Sequence, residues 1–165
     1  MQGQPFTVRT ATREEVDIAI GWAKDEGWNP GLHDAACYYQ ADPGGFLIGL
    51  LDDKPVASIS AIRYSDTFAF MGFYIVKPEH RGRGFGMQLW QAAMDYLQGC
   101  NIGLDGVVEQ QDNYKSSGFK LAYRNIRFEG SHHAAVATDQ SVSALSQIPL
   151  QQLTEYERSF FPADR

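Results

Sequence analysis

The alternation of apolar and polar residues divides most of the chain into short strands and amphipathic helices. Thr12 followed by Glu15 forms a capping-box pattern, which predicts a helix that extends to about Asp25. Strands are predicted, in chain order, over residues 6–9, 46–51, 56–63, 68–76, 101–107 and 119–128. Further helices are predicted over residues 32–40, after residue 86 and over residues 109–117. This order predicts an α/β fold with one central mixed sheet that is flanked by helices.

The segment from Phe68 to Val76 differs from the other predicted strands because it is apolar on both of its alternating faces. Such a pattern is typical of a central strand that is covered on both sides. The helix that follows it has one buried face, marked by apolar residues at helical spacing. These are Leu89, Trp90, Ala93 and Leu97.

The turn between this strand and this helix is rich in glycine and arginine, with glycines at positions 82, 84 and 86. Glycine lets the backbone adopt positive φ and approach a ligand closely, so that several amides can point at one anion. The helix adds its positive N-terminal end. No Gly-Lys-Ser/Thr sequence ends the turn, and the glycines do not follow the dinucleotide spacing, so the two common nucleotide loops are excluded. The alternative is a glycine-rich surface turn without a ligand.

Composition and charge limit the kinds of partner. The chain has 165 residues and a formal net charge of −6, which argues against a nucleic-acid-binding protein and favours a cationic small-molecule acceptor. Against this acidic background a local basic cluster surrounds the glycine turn, formed by Lys77, His80, Arg81 and Arg83. The two cysteines, Cys37 and Cys100, lie far apart in the sequence, and neither a disulfide framework nor a metal site is indicated. No secretion signal or membrane-length apolar run is present, so a cytoplasmic protein without a membrane partner is expected.

Two motifs carry a resemblance to a known family. The order strand, Val-x-Pro-x-x-Arg-Gly-x-Gly-x-Gly, helix resembles the acetyl-CoA signature of the GNAT N-acetyltransferase superfamily, with its core at Arg81, Gly84 and Gly86. The run Tyr114-Lys115-Ser116-Ser117-Gly118-Phe119 resembles a second motif of that family, and the resemblance extends over residues 6–128. It implies the GNAT acyl-CoA N-acyltransferase fold and acetyl-CoA as the cofactor. The residues that it implies for binding acetyl-CoA are Tyr74, Ile75, Val76, Arg81, Gly82, Arg83, Gly84, Phe85 and Gly86.

The resemblance also implies a mechanism, in which an acetyl group passes directly to an amine within a ternary complex. Tyr114 matches the family tyrosine that protonates the departing CoA thiolate, and the alternative is an aromatic packing residue. The predicted strand 68–76 contains no acid, and Val107 stands where many members have asparagine. The proton acceptor is therefore unassigned, and a water chain is one alternative. The side-chain candidates are Glu26, His33, Asp34 and Glu109.

The resemblance further implies that the loop between the first two helices borders the acceptor site. Its candidate substrate-binding residues are Glu26, Trp28, Asn29 and His33. The expected acceptor is a primary amine of a small molecule, and polyamines, amino acids, aminosugars and protein N-termini all remain open. Two other functions also remain open: a CoA-binding regulatory or scaffolding domain without transferase activity, and an enzyme that uses a larger acyl donor.

Residues 1–130 are predicted to form the acetyltransferase domain, and residues 131–165 a linker. The segments 26–34 and 104–107 are similar to a bacterial GNAT subfamily in which a second acetyltransferase-like domain follows the first. The ending Phe161-Pro162-Ala163-Asp164-Arg165 resembles the start of that second domain. The alternative is a C-terminal segment that packs on its own domain or on a partner, and a homodimer stays open.

Overall fold

The computed structural model describes residues 5–126, 128–131 and 142–163. These residues form two compact units, of which the first ends at Asp105 and the second begins at Gly106. The first unit contains one five-stranded sheet with the strand order β1-β2-β3-β4-β5. Its strands are β1 (Phe6–Thr10), β2 (Phe46–Leu51), β3 (Lys54–Arg63), β4 (Phe68–Val76) and β5 (Asn101–Leu104). Its helices are α1 (Arg13–Asp25), α2 (Asp34–Ala41) and α3 (Phe85–Tyr96).

The sheet is mixed, because β1 to β4 are antiparallel to their neighbours whereas β5 runs parallel to β4. The predicted α/β class with one mixed sheet and flanking helices is confirmed. The start of α1 is also confirmed at the level of single bonds. The Thr12 hydroxyl accepts a hydrogen bond from the Glu15 amide at 3.3 Å, and the Glu15 carboxylate accepts one from the Thr12 amide at 2.8 Å.

The core lies on the face of the sheet that α3 covers and on the face that α1 covers. Strands β2 and β3 are almost entirely buried, and α3 buries the apolar stripe that its sequence predicts. Within β4, Ala69, Met71 and Ile75 are buried, while the alternate residues are half-buried. The strand is therefore fully covered on one face and only partly covered on the other.

The predicted strand over residues 119–128 is wrong for the residues that the structure describes, which contain no strand after Leu104. Most of the apolar side chains of this segment are exposed, namely Leu121, Tyr123, Ile126 and Phe128, whereas Phe119 is half-buried. A strand requires a partner edge and a face to bury, and an alternating pattern supplies neither. The fifth strand is also shorter than predicted, since β5 ends at Leu104.

The described residues of the second unit form two short helices and two single 3₁₀ turns. The helices are α4 (Gln111–Ser116) and α5 (Leu150–Glu157), and the 3₁₀ turns are Val108–Gln110 and Leu145–Gln147. Helix α5 was not predicted from the sequence pattern. Among the described helices, none has the length and apolar character that crossing a bilayer requires.

A polar cluster fixes the C-terminal end of α3. The Tyr96 hydroxyl donates to both carboxylate oxygens of Asp42, at 2.9 and 3.1 Å. The Asp42 carboxylate also accepts from the amide of Arg63 at 2.8 Å, and the Arg63 guanidinium donates to the Tyr96 carbonyl at 2.6 Å. The cluster thereby joins α3 to the end of β3 and to the loop before β2. Burial, followed by the Asp42 contact, raises the pKa of Tyr96 to about 12.

We expect Tyr96→Phe to lower the free energy of unfolding near neutral pH by about 1 kcal/mol, because one buried hydrogen bond is lost. The pKa of Tyr96 is raised in the folded state, so the wild-type advantage is fully present below about pH 10 and is lost as the pH rises through about 12. Denaturant titrations at neutral pH and across this window measure the difference. Tyr156→Phe, which changes an exposed hydroxyl, serves as the control. An advantage that persists unchanged above about pH 12 would contradict the prediction.

Candidate active site

The turn between β4 and α3 exposes a row of backbone amides. Gly82 and Gly84 have positive φ of +74° and +81°, and nothing lies within 4 Å of where a Cβ would stand at either position. Gly84 is the N-cap of α3. For the amides of residues 82–87, no protein acceptor is found among the residues that the structure describes. These amides and the positive end of α3 provide the donors that a phosphate group requires.

Gly86 is required for a different reason, which is close packing. A Cβ at this position would lie 2.7 Å from the Tyr74 hydroxyl oxygen and 3.3 Å from a methyl group of Val76. The first turn of α3 therefore rests directly on the end of β4. The Tyr74 ring in turn lies 5.5 Å from the Trp90 ring, centroid to centroid. Helix and strand are thus held together at the point where the amides emerge.

Phe85 anchors the same turn in the core. Its ring stacks on Phe6 with centroids 4.3 Å apart and an interplanar angle of 9°. The guanidinium of Arg83 lies over the Phe85 ring, 4.7 Å from its centroid, and 3.3 Å from Nδ1 of His80. Arg83 thus stays exposed at the turn while its position is restrained by the ring beneath it.

Arg81 braces the site through its side chain. Its Nε donates to the Val76 carbonyl at 2.7 Å, and its guanidinium forms an ion pair with the Glu26 carboxylate. Glu26 caps the end of α1 and precedes Gly27. The ion pair therefore joins Glu26, which was predicted to bind the acceptor, to Arg81, which was predicted to bind the cofactor. Lys77 has its own partner, because its ammonium lies 3.0 Å from Glu79.

Strand β4 has an open edge next to the turn. Its register with β5 covers Phe68 to Met71, which pair with Asn101 to Leu104. β4 continues to Val76, and among the described strands none pairs with residues 72–76 on the β5 side. A parting of two parallel strands exposes backbone groups along which an extended ligand can bind.

A β-bulge sets the direction of those backbone groups. Ser60 pairs with Gly72 and Ser58 with Ile75, so that Phe73 and Tyr74 together oppose one residue of β3. Phe73 has a positive φ of +46°. Its carbonyl accepts a hydrogen bond from the Ser58 hydroxyl at 3.0 Å.

Sequence reasoning missed Ser58 as a component of this site. Ser58 and Ser60 are buried, with exposed fractions of 1% and 4%. The available signal for a role of Ser58 was a pair of serines, spaced by one residue, in an otherwise apolar strand whose neighbour contains Gly72. A buried hydroxyl requires a partner, and the sequence does not identify that partner.

The loop between α1 and α2 carries the other candidates for the acceptor side. Trp28 is half-buried, and Asn29 has a positive φ of +50°. The Asp34 carboxylate accepts a hydrogen bond from the Gly31 amide at 2.8 Å, so it is engaged in the turn that precedes α2. His33 is exposed and makes no side-chain capping bond. No three His, Cys, Asp or Glu side chains in the described ranges lie close enough together to hold a metal ion.

Tyr114 belongs to the second unit, where it lies half-buried on α4. Burial raises the pKa of its phenol. The amide of Phe119 donates to the Tyr114 carbonyl at 3.1 Å, and Gly118 has a positive φ of +93°. This arrangement ends the helix and accounts for the Tyr-x-x-x-Gly-Phe spacing. Glu109 lies on the 3₁₀ turn before α4 and is exposed.

A comparison with protein families matches residues 13–119 to the acetyltransferase (GNAT) family. A relative of known name is the holothin acyltransferase of Pseudoalteromonas sp. (strain SANK 73390), which is 35% identical over 154 residues, or 93% of this chain and 52% of the relative. An uncharacterised Caenorhabditis elegans protein is 28% identical over 53% of this chain and 31% of its own length. The chain thus spans about half or less of the length of these relatives.

Solved structures share the fold at lower sequence identity. A Pyrococcus horikoshii protein described as a candidate acetyltransferase matches with a TM-score of 0.71 and 22% identity, over 100% of this chain and 59% of its own. An aminoglycoside N-acetyltransferase that was solved in complex with CoA matches with a TM-score of 0.58 and 21% identity, over 78% of this chain and 97% of its own. Both matches show a common fold.

We expect Gly86→Ala to lower the free energy of unfolding by about 1 to 2 kcal/mol, because the new methyl group meets the Tyr74 hydroxyl. In a Tyr74→Phe background the penalty should be clearly smaller, because the hydroxyl is gone and only the tight contact with the Val76 methyl group at 3.3 Å remains. Gly21→Ala in α1, where no atom lies within 4 Å of the new Cβ, is the matched control and should be stabilising. Denaturant titrations of the four variants measure these effects. An equal penalty in both backgrounds would show that the hydroxyl is not the obstacle.

Proposed function

Since this chain belongs to the acetyltransferase (GNAT) family, we propose that it transfers an acetyl group from acetyl-CoA to a primary amine of a small molecule. The observation that carries the proposal is the exposed row of amides at residues 82–87, which coincides with the positive end of α3. A diphosphate group matches these donors in charge and in number. Arg83 adds a cation at the same turn, restrained against Phe85.

The open edge of β4 supports the placement of the rest of the cofactor. The pantetheine arm of CoA is extended and carries two amide groups, which are suited to bonding with the strand edge that β5 does not cover. The edge begins after Met71 and leads to Val76, next to the glycine turn. The cofactor-binding set predicted from the sequence therefore lies along one continuous stretch of the first unit.

The reaction that we propose is direct transfer in a ternary complex. The neutral amine attacks the thioester carbon, the new C–N bond forms, and the C–S bond breaks as CoA departs as a thiolate. The thiolate takes a proton from Tyr114, whose phenol is protonated at neutral pH and whose pKa is raised further by burial. The nitrogen releases the extra proton that it carries after attack, and this proton returns through water to the Tyr114 phenolate. The ammonium proton of the acceptor must be lost before attack. Glu26 and Asp34 are engaged with Arg81 and Gly31, so His33 and Glu109 remain as candidate bases besides water.

A thermal-shift experiment with matched glycine variants tests this function. Saturating acetyl-CoA should stabilise the wild type by roughly 2.7 kcal/mol at 100 times the dissociation constant. Gly84→Val and Gly99→Val both place a side chain at a positive φ, of +81° and +91°, with open space around it. We expect both to lower the thermal midpoint, but only Gly84→Val should abolish the shift with acetyl-CoA. Equal shifts in both variants would contradict binding at the turn.

Turnover with a panel of primary amines then separates an enzyme from a CoA-binding domain without transferase activity. We expect Tyr114→Phe to lower kcat by about a hundredfold while acetyl-CoA affinity stays within about twofold, because only the proton donor is lost. The exposed Tyr123 lies in the same unit, and Tyr123→Phe should leave both quantities unchanged. Unaltered kcat in Tyr114→Phe would remove this residue from the mechanism. Binding without turnover of any amine would favour the regulatory or scaffolding alternative.

A further inference from the structure

We infer that Ser58 is a positioning residue, which fixes the β-bulge of β4 and so directs the backbone of Tyr74 and Val76 toward the acyl-CoA arm. This inference rests on the proposed function, because it concerns the same cofactor. Ser58 lies in the middle of β3 with an exposed fraction of 1%, and its hydroxyl donates to the Phe73 carbonyl at 3.0 Å. It does not itself line the open edge, so its effect must pass through Phe73.

The bulge decides which backbone groups face the open edge. The Lys77 amide donates to Val56 on β3 at 3.0 Å, so that residue 77 points toward β3. Backbone groups alternate in direction along a strand, so residue 76 points away from β3, residue 75 toward it and residue 74 away. The Val76 carbonyl agrees with this direction, because it accepts from Arg81 rather than from β3.

Before the bulge, the even-numbered residues of β4 direct their backbone groups toward β3, whereas after the bulge the odd-numbered residues do so. The Phe68 carbonyl accepts from the Tyr64 amide on the β3 side, so even-numbered residues up to Gly72 point toward β3. Without the extra residue, Ile75 and Phe73 would face the open edge instead of Val76 and Tyr74. The one-residue insertion at Phe73 therefore changes the set of amides that a ligand at this edge would meet.

Phe73 is held in a backbone conformation that residues with a Cβ rarely adopt. Its φ of +46° has an energetic cost that the surroundings must offset. Its ring contacts Tyr38 edge-on at 5.8 Å and Phe46 at 6.2 Å, which restrains the side chain. The Ser58 hydroxyl restrains the carbonyl through its hydrogen bond. Removing this hydroxyl takes away a hydrogen bond of the carbonyl in a partly buried place.

Ser60 provides a matched comparison within the same strand. It is also buried, with an exposed fraction of 4%, and lies two residues further along on the same face of β3. Ser60 pairs with Gly72, before the bulge, and within the described ranges it is the Ser58 hydroxyl, not that of Ser60, that donates to Phe73. Ser60→Ala therefore removes a buried hydroxyl of the same kind without releasing the Phe73 carbonyl.

The test compares two ligands by calorimetric titration: acetyl-CoA, and the nucleotide diphosphate half of CoA, which lacks the pantetheine arm. We expect Ser58→Ala to weaken acetyl-CoA binding by about tenfold, the effect of one misdirected hydrogen bond in a partly buried site. Binding of the nucleotide half should stay within about twofold of the wild type, because the glycine turn is unaltered. Ser60→Ala should change neither affinity, and titrations are made below the thermal midpoint of every variant.

Each other outcome contradicts the inference in a recognisable way. Unchanged affinity for acetyl-CoA in Ser58→Ala would show that the bulge does not need the hydroxyl. An equal loss for both ligands would indicate a general disturbance of the fold rather than a misdirected strand edge. A wild-type protein that binds neither ligand would overturn the proposed function itself, and the inference with it. Positioning by Ser58 is supported only if Ser58→Ala weakens the binding of acetyl-CoA and leaves the binding of the nucleotide half unchanged.

Discussion

The parting of β4 from β5 is the feature on which the candidate site depends. A parallel strand that paired with β4 over its whole length would occupy the backbone groups that a ligand requires. β5 ends at Leu104, opposite Met71, and β4 continues for five more residues to Val76. β3 pairs with this stretch from the other side, and α3 packs against its end. The backbone groups at this edge of β4 thus belong to a strand that is held in place by its other neighbours.

The three glycines of the turn show how one motif can combine two physical requirements. Gly82 and Gly84 are needed for their positive φ, whereas Gly86 is needed because Tyr74 leaves no room for a Cβ. The arginines are divided in the same way. Arg81 is bonded within the protein, to Val76 and Glu26, whereas the Arg83 guanidinium lies over the Phe85 ring and forms no ion pair among the described residues. The anion binding that we propose for this acidic chain would therefore depend chiefly on oriented amides and less on charged side chains.

The sequence was sufficient for features that are specified locally. The capping box at Thr12, the boundaries of β4 and the buried stripe of α3 follow from periodicity and from residue chemistry within a few positions. The bulge was not predictable, since a positive φ at a phenylalanine leaves no local signal. The strand predicted over 119–128 failed for a related reason. Its alternation is local, but pairing depends on a neighbour that the pattern cannot supply.

Strand β4 carries no acid that could serve as the general base. The proposed transfer depends less on such a base than on the positioning of the two reactants. Much of the rate of amine acylation by a thioester can come from holding two reactants together, and effective concentrations reach about 10⁵ M or more in well-oriented systems. A proton acceptor contributes a smaller factor, and water can serve when the amine is already partly neutral. Glu26 illustrates the difference, because the structure uses it to connect the end of α1 with the braced Arg81. In the proposed site, a carboxylate in that ion pair would connect the acceptor side with the cofactor side without accepting a proton.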